Sequence, residues 1–134
     1  MISLIMLGLT RTEFVVAQMP PKPQPDRNGD YFSNAAPVQA KKPFNSPGSL
    51  WQVVAASGLN CRSGAGIRDG VTRQFKQGVL LQADVGRGGS DEVLVNVKDR
   101  NGQPWMRVRS QLGENYNCYV RANHRYIRPY TGKE

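Results

Sequence analysis

From Trp51 onward, apolar and polar residues alternate over short runs, separated by turn-forming residues roughly every eight to twelve positions. A period of two belongs to strands, and no stretch carries the i, i+3, i+4 spacing of a helix long enough to cover a sheet. The pattern predicts strands over Trp51–Ala56, Leu59–Arg62, Val79–Val85, Val93–Val97, Trp105–Arg109 and Tyr116–Val120, with a short return over Tyr126–Arg128. Turn residues stand between them at Ser57-Gly58, Gly64-Ala65-Gly66, Gly86-Arg87-Gly88-Gly89, Asn101-Gly102 and Leu112-Gly113. Asn101-Gly102 is the strongest hairpin signal of the set. Short strands without a covering helix lead to an all-β fold, expected as a small barrel of about five to seven strands closed on itself. Ala122-Asn123-His124-Arg125-Tyr126 reads as one short helical turn before the last strand.

Upstream of Trp51 the alternation disappears. Seven of the nine prolines lie there, and residues 18–50 are rich in Pro, Gln, Asn, Lys, Ser and Ala. Few large apolar side chains offset the entropy of ordering, so this stretch is expected to be a disordered Pro-rich linker, extended over Pro20–Pro25. Met1–Leu9 is apolar but far short of the ~20 residues of a transmembrane helix, so no membrane span is expected. Residues 1–17 read as a secretory signal or its remnant, with small or branched residues before a cleavage point after Ala17; the alternative is a disordered leader. The expected organisation is therefore signal 1–17, linker 18–50, folded domain 51–130 and tail 131–134.

Charge adds a partner class without choosing within it. The 134 residues carry 18 Lys and Arg against 10 Asp and Glu, a formal charge of +8. Such a balance favours anionic partners, whether nucleic acid, lipid or cell-wall polymer, and equally describes a solvated basic surface.

Catalysis finds little support. His124 is the only histidine, and no Ser-His-Asp or Cys-His arrangement can be assembled around it. Asp91, Glu92 and Asp99 lie among Arg87, Lys98 and Arg100 and are read as exposed ion pairs. Neither glycine-rich segment opens a helix or leads to Gly-Lys-Ser/Thr, so neither is a phosphate cradle. Two distant cysteines and one histidine do not make a metal site. The chain is read as non-enzymatic, with no cofactor and no metal.

Leu59-Asn60-Cys61-Arg62-Ser63-Gly64-Ala65-Gly66 resembles the LNVRSGPG signature of the bacterial SH3b family, the Src-homology-3-like domains of bacteria. The likeness spans residues 51–130. Trp51-Gln52-Val53-Val54 is similar to the family's opening strand, Gly70 through Gly78 to the segment before its next strand, and Trp105-Met106-Arg107-Val108 to its W-x-x-V strand. Cys118-Tyr119-Val120 stands where the family commonly has Gly-Trp-Val. Cys61 replaces Val, Ala65 replaces Pro, and residues 84–103 form a longer polar hairpin than the family minimum. The resemblance implies an SH3-like barrel acting as an extracytoplasmic module that binds peptidoglycan or an envelope protein.

Leu59 with Cys61, and Cys118 with Val120, fall on inward positions by strand alternation. Cys61 and Cys118 are therefore expected to form a disulfide, as suits the periplasm, cell wall or exterior; two buried free thiols are the alternative. Outward alternation leaves Asn60, Arg62, Trp105, Arg107, Arg109, Tyr119 and Arg121, together with Ser63 where the turn begins, as the candidate ligand-binding surface. Its aromatic rings would stack on sugars or peptide side chains, and its guanidinium groups would fork onto carboxylates. Alternative readings are a non-catalytic docking or regulatory subunit and, less favoured, a basic β-barrel nucleic-acid binder. Ligand identity, oligomeric state and leader cleavage are left open by the sequence.

Overall fold

The computed structural model describes residues 22–41, 48–85 and 95–132. The expected signal, the Gly86–Gly89 turn, and Asp91 and Glu92 lie outside the described residues. Among the described residues, eight strands follow one another with no helix: β1 (Leu50–Val53), β2 (Leu59–Arg62), β3 (Val71–Phe75), β4 (Leu80–Ala83), β5 (Val97–Lys98), β6 (Pro104–Ser110), β7 (Asn115–Arg121) and β8 (Ile127–Pro129). They form one antiparallel sheet in the order β3-β2-β7-β6-β4-β1-β8, with β5 paired to β6.

Alternation sets which side chains meet. Trp51 and Val53 of β1, Leu59 and Cys61 of β2, Leu81 and Ala83 of β4, Met106 and Val108 of β6, and Cys118 and Val120 of β7 join one buried cluster. Opposite faces of the same strands carry Asn60, Arg62, Trp105, Arg107, Tyr119 and Arg121. A disulfide joins Cys61 to Cys118, their Cα atoms 5.4 Å apart and 57 residues apart in sequence. It ties together two adjacent strands of the inner face. Among the described residues, Arg62 and Tyr119 are the one register pair between β2 and β7, so the bond reinforces a thin seam.

The sheet is not closed into a barrel, contrary to expectation: β3 and β8 are its two ends and share no register. β8 has three residues and ends on Pro129, which has no N–H to donate to a further ladder. β3 keeps only Phe75 buried, so its other four residues supply no inner surface for closure to cover. Nor is Ala122–Tyr126 helical. It is a turn organised by Asn123, whose carbonyl accepts from the amides of Tyr126 at 2.9 Å and Ile127 at 3.0 Å. Asn123 Oδ1 also accepts from the Arg125 amide at 2.9 Å, and the chain passes directly into β8 at Ile127 without repeating the turn.

The linker expectation fails over its described parts, residues 22–41 and 48–50, the last of which, Leu50, opens β1. Tyr31 and Ala36 are buried in the main cluster, and the Tyr31 ring meets Trp51 edge-on, centroids 4.9 Å apart. The backbone is paired as well. Tyr31 N donates to Ala122 O at 2.9 Å, Asn96 N donates to Phe32 O at 2.7 Å, and Trp51 Nε1 donates to Asn34 O at 3.3 Å. One small alanine and one aromatic ring are enough because hydrogen bonds complete the anchoring, a contribution that a count of large apolar residues overlooks.

One local device occurs twice. Asp26-Arg27-Asn28-Gly29 and Asp99-Arg100-Asn101-Gly102 spell the same tetrapeptide. In the first turn, Asp26 Oδ1 accepts from the amides of Asn28 and Asp30, both at 2.9 Å. In the second, Asp99 Oδ1 accepts from Asn101 at 2.8 Å and Gln103 at 3.0 Å. Each turn closes with its glycine amide on the aspartate carbonyl at 2.9 Å. The glycines have φ of 86° and 79°, in the left-handed region that a side chain disfavours.

Candidate binding pocket

β2, β6, β7 and the turn before β8 enclose a concavity of about 430 Å³ on the outward face. Asn60 and Arg62 enter it from β2, Trp105 from β6 and Arg121 from β7, so four of the eight expected ligand-binding residues come together. Gln103, Asn123, Arg125, Tyr126 and Ile67 complete the lining. The volume falls in the range that holds a small ligand or a few residues of a chain.

Each wall residue is set by local bonding. Arg62 Nη1 donates to the Asp69 carbonyl at 2.9 Å, anchoring the guanidinium across the Ser63–Gly70 turn. Asn60 Oδ1 accepts from Gln74 Nε2 at 2.7 Å. Trp105 was expected to offer an outward stacking face. It does lie opposite Met106 and Val108, yet it is only 3% exposed, and its Nε1 donates to Asp99 Oδ2 at 2.9 Å. Its ring therefore contributes an edge of lining, not an open platform. Asp99 accordingly differs from its expected role: it braces a hairpin and Trp105. Burial pushes its carboxyl pKa up, but hydrogen bonds from Trp105 and the Gln103 and Asn101 amides, with the Arg121 charge, outweigh that and hold it below the ordinary value.

Arg121 is committed within the fold. Its Nη2 stands 2.7 Å from Asp30 Oδ1, and its Nη1 donates to the Pro104 and Ala122 carbonyls. Asn123 Nδ2 donates to the same Asp30 oxygen at 2.9 Å and to Asn28 O at 3.0 Å. One wall of the pocket thus rests on the segment expected to be a linker.

The remaining expected residues lie outside the concavity. Tyr119 is in register with Arg62 on one side and Arg107 on the other, and the Arg107 guanidinium carbon is 5.7 Å from its ring centroid. Arg107 Nε is 3.0 Å from Asp84 Oδ2, and that hydrogen bond raises the already high guanidinium pKa. Arg109, 9% exposed, donates from Nη2 to Gln82 Oε1 at 2.9 Å and approaches Asp84 at 3.7 Å. Ser63 is exposed and off the wall, its amide closing the turn onto Gly70 O at 2.8 Å.

Asp30, Arg125 and Tyr126 were not anticipated as site residues. The doubled Asp-Arg-Asn-Gly sequence is the signal that could have pointed to Asp30, and the adjacent Arg125-Tyr126 pair is a basic and aromatic signal in plain view. His124 is exposed, and its amide donates to Gly29 O at 2.8 Å. Among the described residues no group of His, Cys, Asp and Glu is placed to hold a metal, and no helix is long and apolar enough to cross a membrane. Compared with protein-family models, curated proteins and solved structures, the chain finds no match in any of the three.

Proposed function

We propose that this chain is an extracytoplasmic, non-catalytic binding module of SH3b type that recognises peptide or glycan of the cell wall. The observation that carries the reading is the outward pocket, where Asn60, Arg62, Trp105 and Arg121 meet Tyr126 and Arg125. Amides and guanidinium groups supply directional donors, and the aromatic edges supply apolar contact, a combination suited to a short peptide or sugar. The Cys61–Cys118 disulfide supports an oxidising compartment and weighs against a nucleic-acid partner. A protein-docking role is a second reading, favoured by Ile67 and Val71, which are 70% and 47% exposed beside the pocket and along β3.

Retention of the full chain on purified peptidoglycan, followed through a salt titration, tests the proposal. Specific retention survives moderate salt and is lost in Asn60→Ala and Tyr126→Ala, both surface-accessible positions. Retention that vanishes at modest salt and ignores both substitutions overturns it.

A further inference from the structure

We propose that the pocket selects a ligand with a free carboxylate, and specifically the C-terminal carboxylate of a short peptide, through Arg62 and Arg125. This rests on the pocket being the binding site. Arg107 and Arg109 share Asp84, and Arg121 takes Asp30. Each of these guanidinium groups on the outward face has an internal carboxylate.

Arg62 and Arg125 are different. Neither forms an ion pair among the described residues, although both line the same concavity. No Asp or Glu contributes to the wall, which carries three arginines. Asp30 neutralises one of those three, leaving an excess of two positive charges at a half-open concavity. Arg62 is also held in place by its bond to Asp69 O, so part of the ordering entropy of a forked contact is already spent before a ligand arrives. An incoming carboxylate supplies the counter-charge the fold leaves out.

The neighbouring groups favour a peptide as the carrier of that carboxylate. Asn60 and Gln103 place amide side chains along the wall, able to meet the donors and acceptors of a peptide backbone, while the Asn123 amide is used within the fold. Tyr126 and the exposed Ile67 offer apolar contact for one side chain next to the terminus. A sugar acid shares the carboxylate but lacks an aliphatic side chain for Ile67.

Calorimetric titration of the full-length oxidised protein with N-acetyl-alanyl-leucine, its C-terminal amide and N-acetylmuramic acid tests the assignment. The free acid should bind at least about tenfold more tightly than the amide, the scale of one charge-assisted hydrogen-bond pair. Arg125→Gln, at an exposed position, should bring the acid down to the affinity of the amide, while Arg125→Lys recovers part of the difference. Arg62→Gln provides an independent check of the same loss. Equal binding of acid and amide, an acid preference untouched by Arg125→Gln and Arg62→Gln, or no binding of either peptide overturns the proposal. Preferential binding of N-acetylmuramic acid overturns the peptide assignment. Failure here alongside Tyr126-dependent retention on peptidoglycan refutes the carboxylate and spares the wider reading; loss of that retention removes the wider reading itself.

Discussion

Asp30 Oδ1 lies 2.7 Å from Arg121 Nη2 and also accepts from Asn123 Nδ2 at 2.9 Å, so a single carboxylate oxygen joins the N-terminal segment to β7 and to the turn beyond it. The side chains of Asp30 and Arg121 are 6% and 15% exposed. At that burial the desolvation of Arg121 is compensated only while its partner is present. Asp30→Ala is therefore expected to cost about 3 kcal/mol in urea unfolding, the range for breaking a buried pair from one side. Hydrogen exchange should show the Tyr31 amide, bonded to Ala122 O, losing protection first. A destabilisation within experimental error would mean that segment 22–41 is held by Tyr31 packing alone.

The Cys61–Cys118 bond closes a long loop across a seam with one register pair. Chain-entropy arguments assign such a loop about 4 kcal/mol, so calorimetry with and without reductant should show a fall in Tm of more than about 10 °C. Because the pocket spans β2 on one side of this seam and β6 and β7 on the other, reduction should weaken ligand binding before the sheet unfolds. The Cys61→Ala/Cys118→Ala double variant should reproduce both effects without reductant. An unchanged Tm in both samples would remove the bond from any account of stability.

Legibility in the sequence followed the strength of the two-residue period. β2 was delimited at its observed bounds because Leu59 and Cys61 alternate cleanly with Asn60 and Arg62 and a glycine stands on either side. The same alternation gave the inward facing of both cysteines. β3 was missed because four of its five residues are exposed, so the single buried position, Phe75, leaves no alternation that periodicity could detect. The docked segment 22–41 escaped notice for a related reason: its anchoring is mostly hydrogen bonding to distant residues, which leaves no local pattern. In the site, outward placement of Trp105 was readable, but its burial depends on Asp99 and its hairpin, a tertiary matter. The pairing of Arg107 and Arg121 with Asp84 and Asp30 was equally invisible to spacing, since each partner lies on another element.

The doubled Asp-Arg-Asn-Gly turn offers a comparison within one molecule. Gly29 and Gly102 share the left-handed conformation, with φ of 86° and 79°, so alanine meets the same backbone strain at both. Their surroundings differ. A Cβ at Gly102 would have nothing within 4 Å, while one at Gly29 would lie 2.7 Å from His124 Cδ2 and 3.1 Å from Asn123 Nδ2. Gly102→Ala should cost about 1 kcal/mol in denaturant unfolding, the scale of left-handed strain for a non-glycine residue. Gly29→Ala should cost roughly twice that, because buried Asn123 must shift and its bonds to Asn28 and Asp30 lengthen. Equal losses would show that the His124 ring and Asn123 move aside freely.

Asp99 links the pocket to pH. Its Oδ2 accepts from Trp105 Nε1 at 2.9 Å, and its carboxyl is held below the ordinary value of 3.8 by hydrogen bonds acting against its desolvation. For an acid with a lowered folded pKa, the ionised form is favoured by folding, so its contribution is present above the unfolded value and lost as pH falls through the folded one. Stability should therefore decline on the acid side of 3.8, with a shallower decline in Asp99→Asn. The indole N–H resonance of Trp105, followed by NMR, reports the same event directly: it should titrate with a midpoint below 3.8 in the wild-type protein and not respond to this step in Asp99→Asn. A midpoint at or above 3.8 would mean that the hairpin bonds do not favour the carboxylate, and Trp105 would then owe its position to packing alone.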